Sequence, residues 1–391
     1  MIRDYKRNFG QRHKVLSVVI KILIPLLMAG LIAAFYFIPN SSLYTRRIAN
    51  YYSDHVFPKI ALVGNYFTNI FMFSITELLA IVGVISLIVI FVCFIVMIVK
   101  NIKRKRFLKF LYRSVCVILA AILFVYGGFQ LMHGLNYKRD PVAVRLGLKT
   151  RERDINELYV VEAWAYREMI AARKLLGTDY NGVSHMMTSF PESVFHANAL
   201  LNAVDDKYDF GLSDTFIRSK PVMLSSYWSY THIVGVYDPV IGESNINVDY
   251  TCPYDMPITI CHEMIHAKGY AREGDANFIA VIACILSDRA DFRYAGYFWI
   301  FTSVASLLDN YDVFAVDPDF QLIVKDINAA NAYWDTKETG KVAQKVNEVS
   351  EATNDTYLEA NGQEGGTDTY EVDSNIYVEF FYKYVMPEID E

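Results

Sequence analysis

Acidic residues are nearly missing from the first third of this chain. Residues 1 to 137 contain three, Asp4, Asp54 and Glu77, against 16 Lys and Arg, whereas residues 138 to 391 carry 40 acidic and 21 basic side chains. The overall net charge of −6 therefore hides a basic segment followed by an acidic one, and such a division marks two environments. The basic segment is also the apolar one, which argues against a nucleic-acid binder and for a membrane anchor with basic flanks. Cysteine is scarce as well. Cys93 and Cys116 fall in apolar runs, and only Cys252, Cys261 and Cys284 lie in the acidic part. Three is odd, so at least one thiol has no partner within the chain; a bridge using Cys252 stays open, and small buried thiols are the simpler reading. No internal repeat and no long low-complexity tract is present.

Three stretches are long and apolar enough to cross a bilayer, which takes about 20 residues of helix: roughly Val15 to Ile38, Leu78 to Val99 and Phe110 to Met132. The first is too long for a signal-peptide core, lacks a small-residue cleavage site and is followed by two more. Lys and Arg near span ends stay on the cytoplasmic side. The amino-terminal tail has Arg3, Lys6, Arg7, Arg12 and Lys14, and the connection from Lys100 to Lys109 packs six basic residues into ten. Both clusters are read as cytoplasmic, which places everything beyond about Gly134 outside the cytoplasm. The expected division is a membrane anchor over 1–137 and an extracytoplasmic domain over 138–391.

Between the first two spans, Tyr44 to Phe73 is rich in aromatics and mixed in polarity, as amphipathic helices at the outer interface would be. Asn136 to Pro141 reads as a linker. Apolar residues at Ile155, Leu158, Val161, Ala165, Met169, Ala172 and Leu176 recur every three or four positions, which predicts a helix from about Glu152 to Leu176, stopped by Gly177. His232 to Tyr237 and Ser244 to Val248 read as two strands around Asp238, Pro239 and Gly242. Helical patterns resume at Pro257 and run to about Leu308, broken at Gly269 and near Asp291. From Ala329 to Gly366 the chain turns polar, ending in a turn cluster at Asn361 to Gly366.

The strongest chemical signal is His262-Glu263-Met264-Ile265-His266. On a helix the two histidines lie four apart on one face and can reach one metal, with Glu263 beside a bound water as general base. Zinc suits imidazole nitrogen, and a catalytic site leaves one position for that water. Asp255 and Pro257 supply start signals for the helix, and Gly269 supplies its end. A third protein ligand is needed. Glu273 is the first choice and Asp275 the alternative; a helix starting near Arg272 places Asn277 one turn after Glu273, where it could orient an imidazole. Arg293 and Tyr294 follow and are candidates for stabilising an oxyanion. The hairpin before the zinc helix is either an edge strand for an extended peptide or an ordinary structural hairpin.

These residues resemble a known pattern. HEMIH followed by Glu273-x-x-Ala276-Asn277 is similar to the gluzincin metallopeptidases, whose HExxH helix is completed by a glutamate on a following helix, and to the membrane zincins of the heat-shock and prenyl-protease group. Only six residues separate His266 from Glu273, fewer than gluzincins usually have. Gly269 makes so tight a reversal feasible because it tolerates positive φ. The metzincin alternative, which shares HExxHxxG, has Arg272 where its third histidine would stand. A longer resemblance, through Gly134-Leu135-Asn136-Tyr137, Tyr230 to Asn247, Cys261 to Asn277 and Tyr357 to Gly366, is to an uncharacterised family of membrane proteins from Firmicutes and Bacteroidetes. It implies a membrane part joined to a zincin-like domain and no particular substrate.

The expected fold is mainly α with a small antiparallel β-sheet, built as a three-span helical anchor plus a zincin-like metallopeptidase domain. The expected function is a membrane-bound zinc metallopeptidase acting on a peptide or protein, with Glu263 as base, Tyr294 as a catalytic candidate and His262, His266 and Glu273 as ligands. A non-catalytic zinc-binding sensor or scaffold is the alternative; Glu263, which zinc binding does not need, argues for the enzyme.

Overall fold

The computed structural model describes residues 43 to 390 apart from 150, 152, 309 to 313, 315, 364 and 366 to 373, together with 23, 26 to 28 and 30. The first expected span, Val15 to Ile38, lies almost wholly outside the described residues. Two helices, α1 (Leu43–Tyr51) and α2 (Phe57–Thr68), flank a π-helical turn at Tyr52–Val56. Next come α3 (Ile75–Lys103) and α4 (Phe107–Met132), the two helices among the described residues that are long and apolar enough to cross a membrane. At 29 residues α3 is about 44 Å long, and of its side chains only Glu77 is buried. Its start is set by Ser74, whose hydroxyl accepts from the Glu77 backbone N–H at 2.9 Å, an N-terminal cap.

The remainder is mainly helical. In chain order it comprises α5 (Ile155–Arg173), α6 (Phe190–Tyr208), β1 (Lys220–Pro221), β2 (Gly235–Asp238), β3 (Glu243–Ile246), α7 (Met256–Ala267), α8 (Glu273–Ile285), α9 (Ala290–Leu308), α10 (Phe320–Glu338), α11 (Lys341–Ala360) and α12 (Asn375–Phe380). Capping boxes begin α5 (Asp154 with Glu157) and α6 (Ser189 with Glu192), each satisfying backbone donors at a helix start. The core lies where α9 packs on α5 and α8, and α7 packs on α6, α8 and the sheet. All of α7 is buried, and so is α8 apart from Gly274, as expected of helices enclosed on every side.

The sheet differs from the expected antiparallel one. Its strand order is β1-β3-β2, with β2 antiparallel and β1 parallel to β3, so the sheet is mixed. The added strand is two residues long and ends at Pro221, too little for alternation to register. The hairpin itself is present, with a left-handed Gly242 at φ +72° in its turn. All five cysteines carry free thiols, and Cys252, Cys261 and Cys284 are buried.

Contacts cross the expected boundary at 137/138. Asn50 donates to the Asp140 side chain at 2.8 Å, and Asn69 bridges the Phe216 carbonyl and the Arg218 N–H at 2.8 and 3.0 Å. The start of α3 is bound to the sheet. Buried Glu243 accepts from the Thr76 N–H at 2.9 Å, and Glu77 accepts from the N–H groups of Met223 and Leu224, both at 2.8 Å.

Candidate metal centre

Helix α7 delivers His262 and His266 from one face, and a five-residue reversal delivers Glu273 as the first residue of α8. Gly269, at φ +117°, makes that reversal; a side chain there would be strained and would press on Phe57 at 3.2 Å. The reversal is clamped from outside. Arg139 donates to the Gly269 carbonyl at 3.0 Å and lies 3.8 Å over the Tyr270 ring, while Arg272 donates to the Arg139 carbonyl at 2.6 Å. Buried Lys268 donates to the carbonyls of Ser213 and Thr215 at 2.7 and 3.0 Å. The Asn136 to Pro141 stretch, read as a linker, is thus part of the frame that positions Glu273.

Glu273 Oε2 lies 3.0 Å from His262 Nε2 and 3.2 Å from His266 Nε2, and the two Nε2 atoms are 2.9 Å apart. These three are the one group of potential metal ligands of this kind found among the described residues. His266 Nδ1 is held by the Tyr270 carbonyl at 2.7 Å, which turns Nε2 inward. Asp275 does not join them: it accepts from the Val142 N–H at 3.0 Å and from Arg272 at 2.8 Å. Burial pulls the His266 imidazole down, but the Glu273 carboxylate overrides it and pushes the imidazole up to about 9. Burial pushes Glu273 up, and the two imidazoles more than reverse it, holding the carboxyl well below its usual range. A metal ion held here would displace the proton that the Glu273 carboxylate favours on His266.

Glu263 is buried beside this cluster, and its Oε2 has no hydrogen-bond partner among the described residues. Burial raises its pKa, against the pull of His262 and His266. The carboxylate lies against Gly235 of β2, where an added Cβ would sit 2.6 Å from Oε1. Gly235 is therefore the close approach that lets an edge strand run over the general-base candidate. Both line a cavity of about 1040 Å³ with His262, His266 and Glu273, and a smaller cleft of about 360 Å³ continues past His262 and Glu263. Asn277 lines that cleft.

Tyr294 is not brought to the centre. It is fully buried, and its hydroxyl donates to Asp326 at 2.9 Å, inside a network where Arg173 also binds Asp326 at 2.5 Å. Arg293 donates to the carbonyls of Ser287 and Asp288. In their place stand His133, Tyr137 and Tyr357, all lining the cavity. His133 is buried with Nδ1 unpartnered, and its ring lies 6.0 Å from that of His266. Burial, and then the His266 charge, lower its pKa to about 3. Tyr137 donates to the Tyr357 hydroxyl at 3.2 Å. Gln363 accepts from the Glu273 N–H at 3.3 Å. Residues from all four stretches that carried the longer resemblance thus meet at this centre.

No curated protein and no solved structure matches the chain. A family model described as Protein of unknown function (DUF3810) matches residues 52–373, a range that takes in α3, α4, the sheet and every residue of the centre. The chain belongs to this DUF3810 family.

Proposed function

We propose that this chain is a membrane-bound zinc metallopeptidase whose base is Glu263. The observation that carries the reading is the convergence of Glu273 with two imidazoles beside a buried carboxylate whose Oε2 has no partner. The donors fit zinc. Their separations of 2.9 to 3.2 Å approach the roughly 3.3 Å expected between donors around a tetrahedral zinc with bonds of about 2.0–2.1 Å. Zinc held there supplies Lewis acidity and brings a water molecule's acidity close to neutral pH. Glu263 then accepts the proton of the attacking water and passes it to the leaving amine. The outer edge of β2, which has no strand beside it among the described residues, holds the substrate main chain. His133 and the Tyr137–Tyr357 pair are the donors placed to meet an oxyanion.

Metal analysis of purified protein, prepared without chelators, tests the reading. About one zinc per chain is expected, and His262→Ala should lose most of it. Glu273→Ala should weaken retention by more than the about 10- to 100-fold that losing an outer hydrogen-bond partner costs. Zinc-free wild type would overturn the proposal.

The basic Lys100 to Lys109 connection between α3 and α4 supports a cytoplasmic place for that end and the far side for the metal centre. A reporter fused near Arg104 is expected to behave as cytoplasmic, and one fused after Glu391 as extracytoplasmic. The reverse pattern would move the centre into the cytoplasm.

A further inference from the structure

The larger cavity is framed by the ends of both long apolar helices. Thr76 is the second residue of α3 and Phe129 lies in the last turn of α4, and both line it. Because Glu243, Glu77 and Asn245 bind the start of α3 to the sheet, the metal centre is held level with that end of the spans. The roof is α11. Its residues Val342, Val346 and Val349 recur at helical spacing and face the cavity, yet they are 80, 38 and 54% exposed. Among the described residues nothing covers this apolar stripe. The other half of α11 is fixed: Tyr357 packs edge-on against Phe129 at 6.1 Å, and Ser350 donates to the Thr231 carbonyl at 3.1 Å. At the first turn of α11, Lys341 and Lys345 line the cavity, Lys345 paired with Glu348 at 2.8 Å, and Lys341 is suited to a headgroup phosphate beside the spans.

We infer that, if the peptidase reading holds, the substrate is a membrane-resident polypeptide whose apolar, unwound stretch leaves the bilayer at the ends of α3 and α4 and pairs with β2 under the valine stripe. Two features select this occupant. A helix is 10–12 Å across, so the cavity of about 1040 Å³ would be filled by roughly two turns of it, and a spanning helix does not fit. An extended stretch does. Residues Gly235 to Pro239 form one wall of the cavity, so four or five substrate residues can satisfy their main-chain groups on the β2 edge while alternate apolar side chains reach α11. Past Glu263 and His262 the chain would enter the smaller cleft, whose walls set Asp255, Thr259, Asn277 and Glu351 beside Ile258 and Trp299 and are more polar than those of the larger cavity. The scissile bond then lies where an apolar stretch gives way to a polar one, as it does where a polypeptide emerges from a membrane.

The test uses the full-length Glu263→Gln protein in nanodiscs. The probe is a peptide with a Lys-flanked Leu/Ala span of about 20 residues, a six-residue Val/Leu stretch carrying one diazirine leucine, and a Ser/Gly tail. Mass spectrometry of the photoproducts should place crosslinks on β2 and on Val342 to Val349. Replacing the Val/Leu stretch by Ser/Gly around the same diazirine, or introducing Val346→Glu, should lower them at least ten-fold. The probe change needs no second protein variant, so misfolding of Val346→Glu leaves the test intact. Crosslinks confined to bilayer-facing positions such as Leu87 and Phe124, or equal labelling by the Ser/Gly probe, would overturn the inference. Labelling needs neither metal nor turnover. A protein labelled in the cavity but lacking zinc defeats the peptidase reading alone, whereas one that holds zinc and cleaves soluble peptides without being labelled defeats this inference alone.

Discussion

Glu263→Gln is expected to cut hydrolysis of an accepted peptide by about 100- to 10,000-fold, the usual contribution of a general base, with zinc content unchanged. Gln keeps the volume and can still hydrogen-bond a water, but it cannot take its proton. The geometry makes this a clean substitution. Glu263 is not one of the three converging donors, its Oε2 has no partner to lose, and an amide leaves no buried charge to compensate. Gly235→Ala is a companion from the opposite side. Its Cβ would fall 2.6 Å from Oε1 and 2.7 Å from Cγ of Glu263, so the Glu263 carboxylate must move while His262, His266 and Glu273 stay. Turnover measured with a fluorogenic peptide library, beside metal analysis of the same samples, decides the matter. A Gln variant within three-fold of wild type would leave a zinc-binding scaffold as the better reading.

The parts of this centre that were legible in the sequence are those in which local periodicity dictates geometry. Two histidines four apart on a helix must share a face, so His262 and His266 needed no tertiary information. Glu273 followed from a helix start just beyond a glycine able to take positive φ, and Gly269 does so at +117°. Asp275 remained the alternative to Glu273 because both lie in the first turn of α8, and three-dimensional contacts hold it away with Val142 and Arg272. Tyr294 failed for the opposite reason. Nearness in sequence to the ligands placed it in the running, but α9 turns its hydroxyl into the Asp326 network. His133 was hidden because it closes an apolar run that reads as a span, and nothing local distinguishes a histidine at a span end from one aimed at a distant imidazole. The roof helix α11 was hidden by its polarity. Apart from Val342, Val346, Val349 and Leu358, its 20 residues offer too thin an apolar stripe for a sequence pattern to stand out from a polar loop. The stripe is thin because α11 covers a cavity instead of a packed core.

Lys220→Met is expected to destabilise the protein by about 3–5 kcal/mol, the cost of removing one partner from a buried ion pair. Lys220 and Glu243 have side chains 1 and 0% exposed and meet at 3.4 Å. Lys220 also donates to the Thr68 carbonyl at 2.6 Å, at the end of α2, while Glu243 receives the Thr76 N–H and the Ser74 hydroxyl at the start of α3. The pair therefore sits where α2, α3 and the sheet join, and each partner answers a charge or a helix terminus that water cannot reach. Without the lysine, Glu243 must either keep an uncompensated charge in a dry site or take up a proton, and both routes weaken the fold. Met fills similar volume, so the loss is electrostatic and not a cavity. This distinction is what makes the prediction testable. Lys220→Met combined with Glu243→Gln removes the stranded charge yet retains an acceptor for Thr76, and it should recover much of the lost stability, whereas a packing defect would persist. Thermal unfolding and proteolysis in one detergent supply the readout. A Lys220→Met protein as stable as wild type to within about 0.5 kcal/mol, the range of ordinary surface substitutions, would mean that the pair does not hold the sheet to α3. The hold of the sheet region on the start of α3 would then rest on the hydrogen bonds of Thr76 with Glu243 and Asn245 and of Glu77 with Met223 and Leu224.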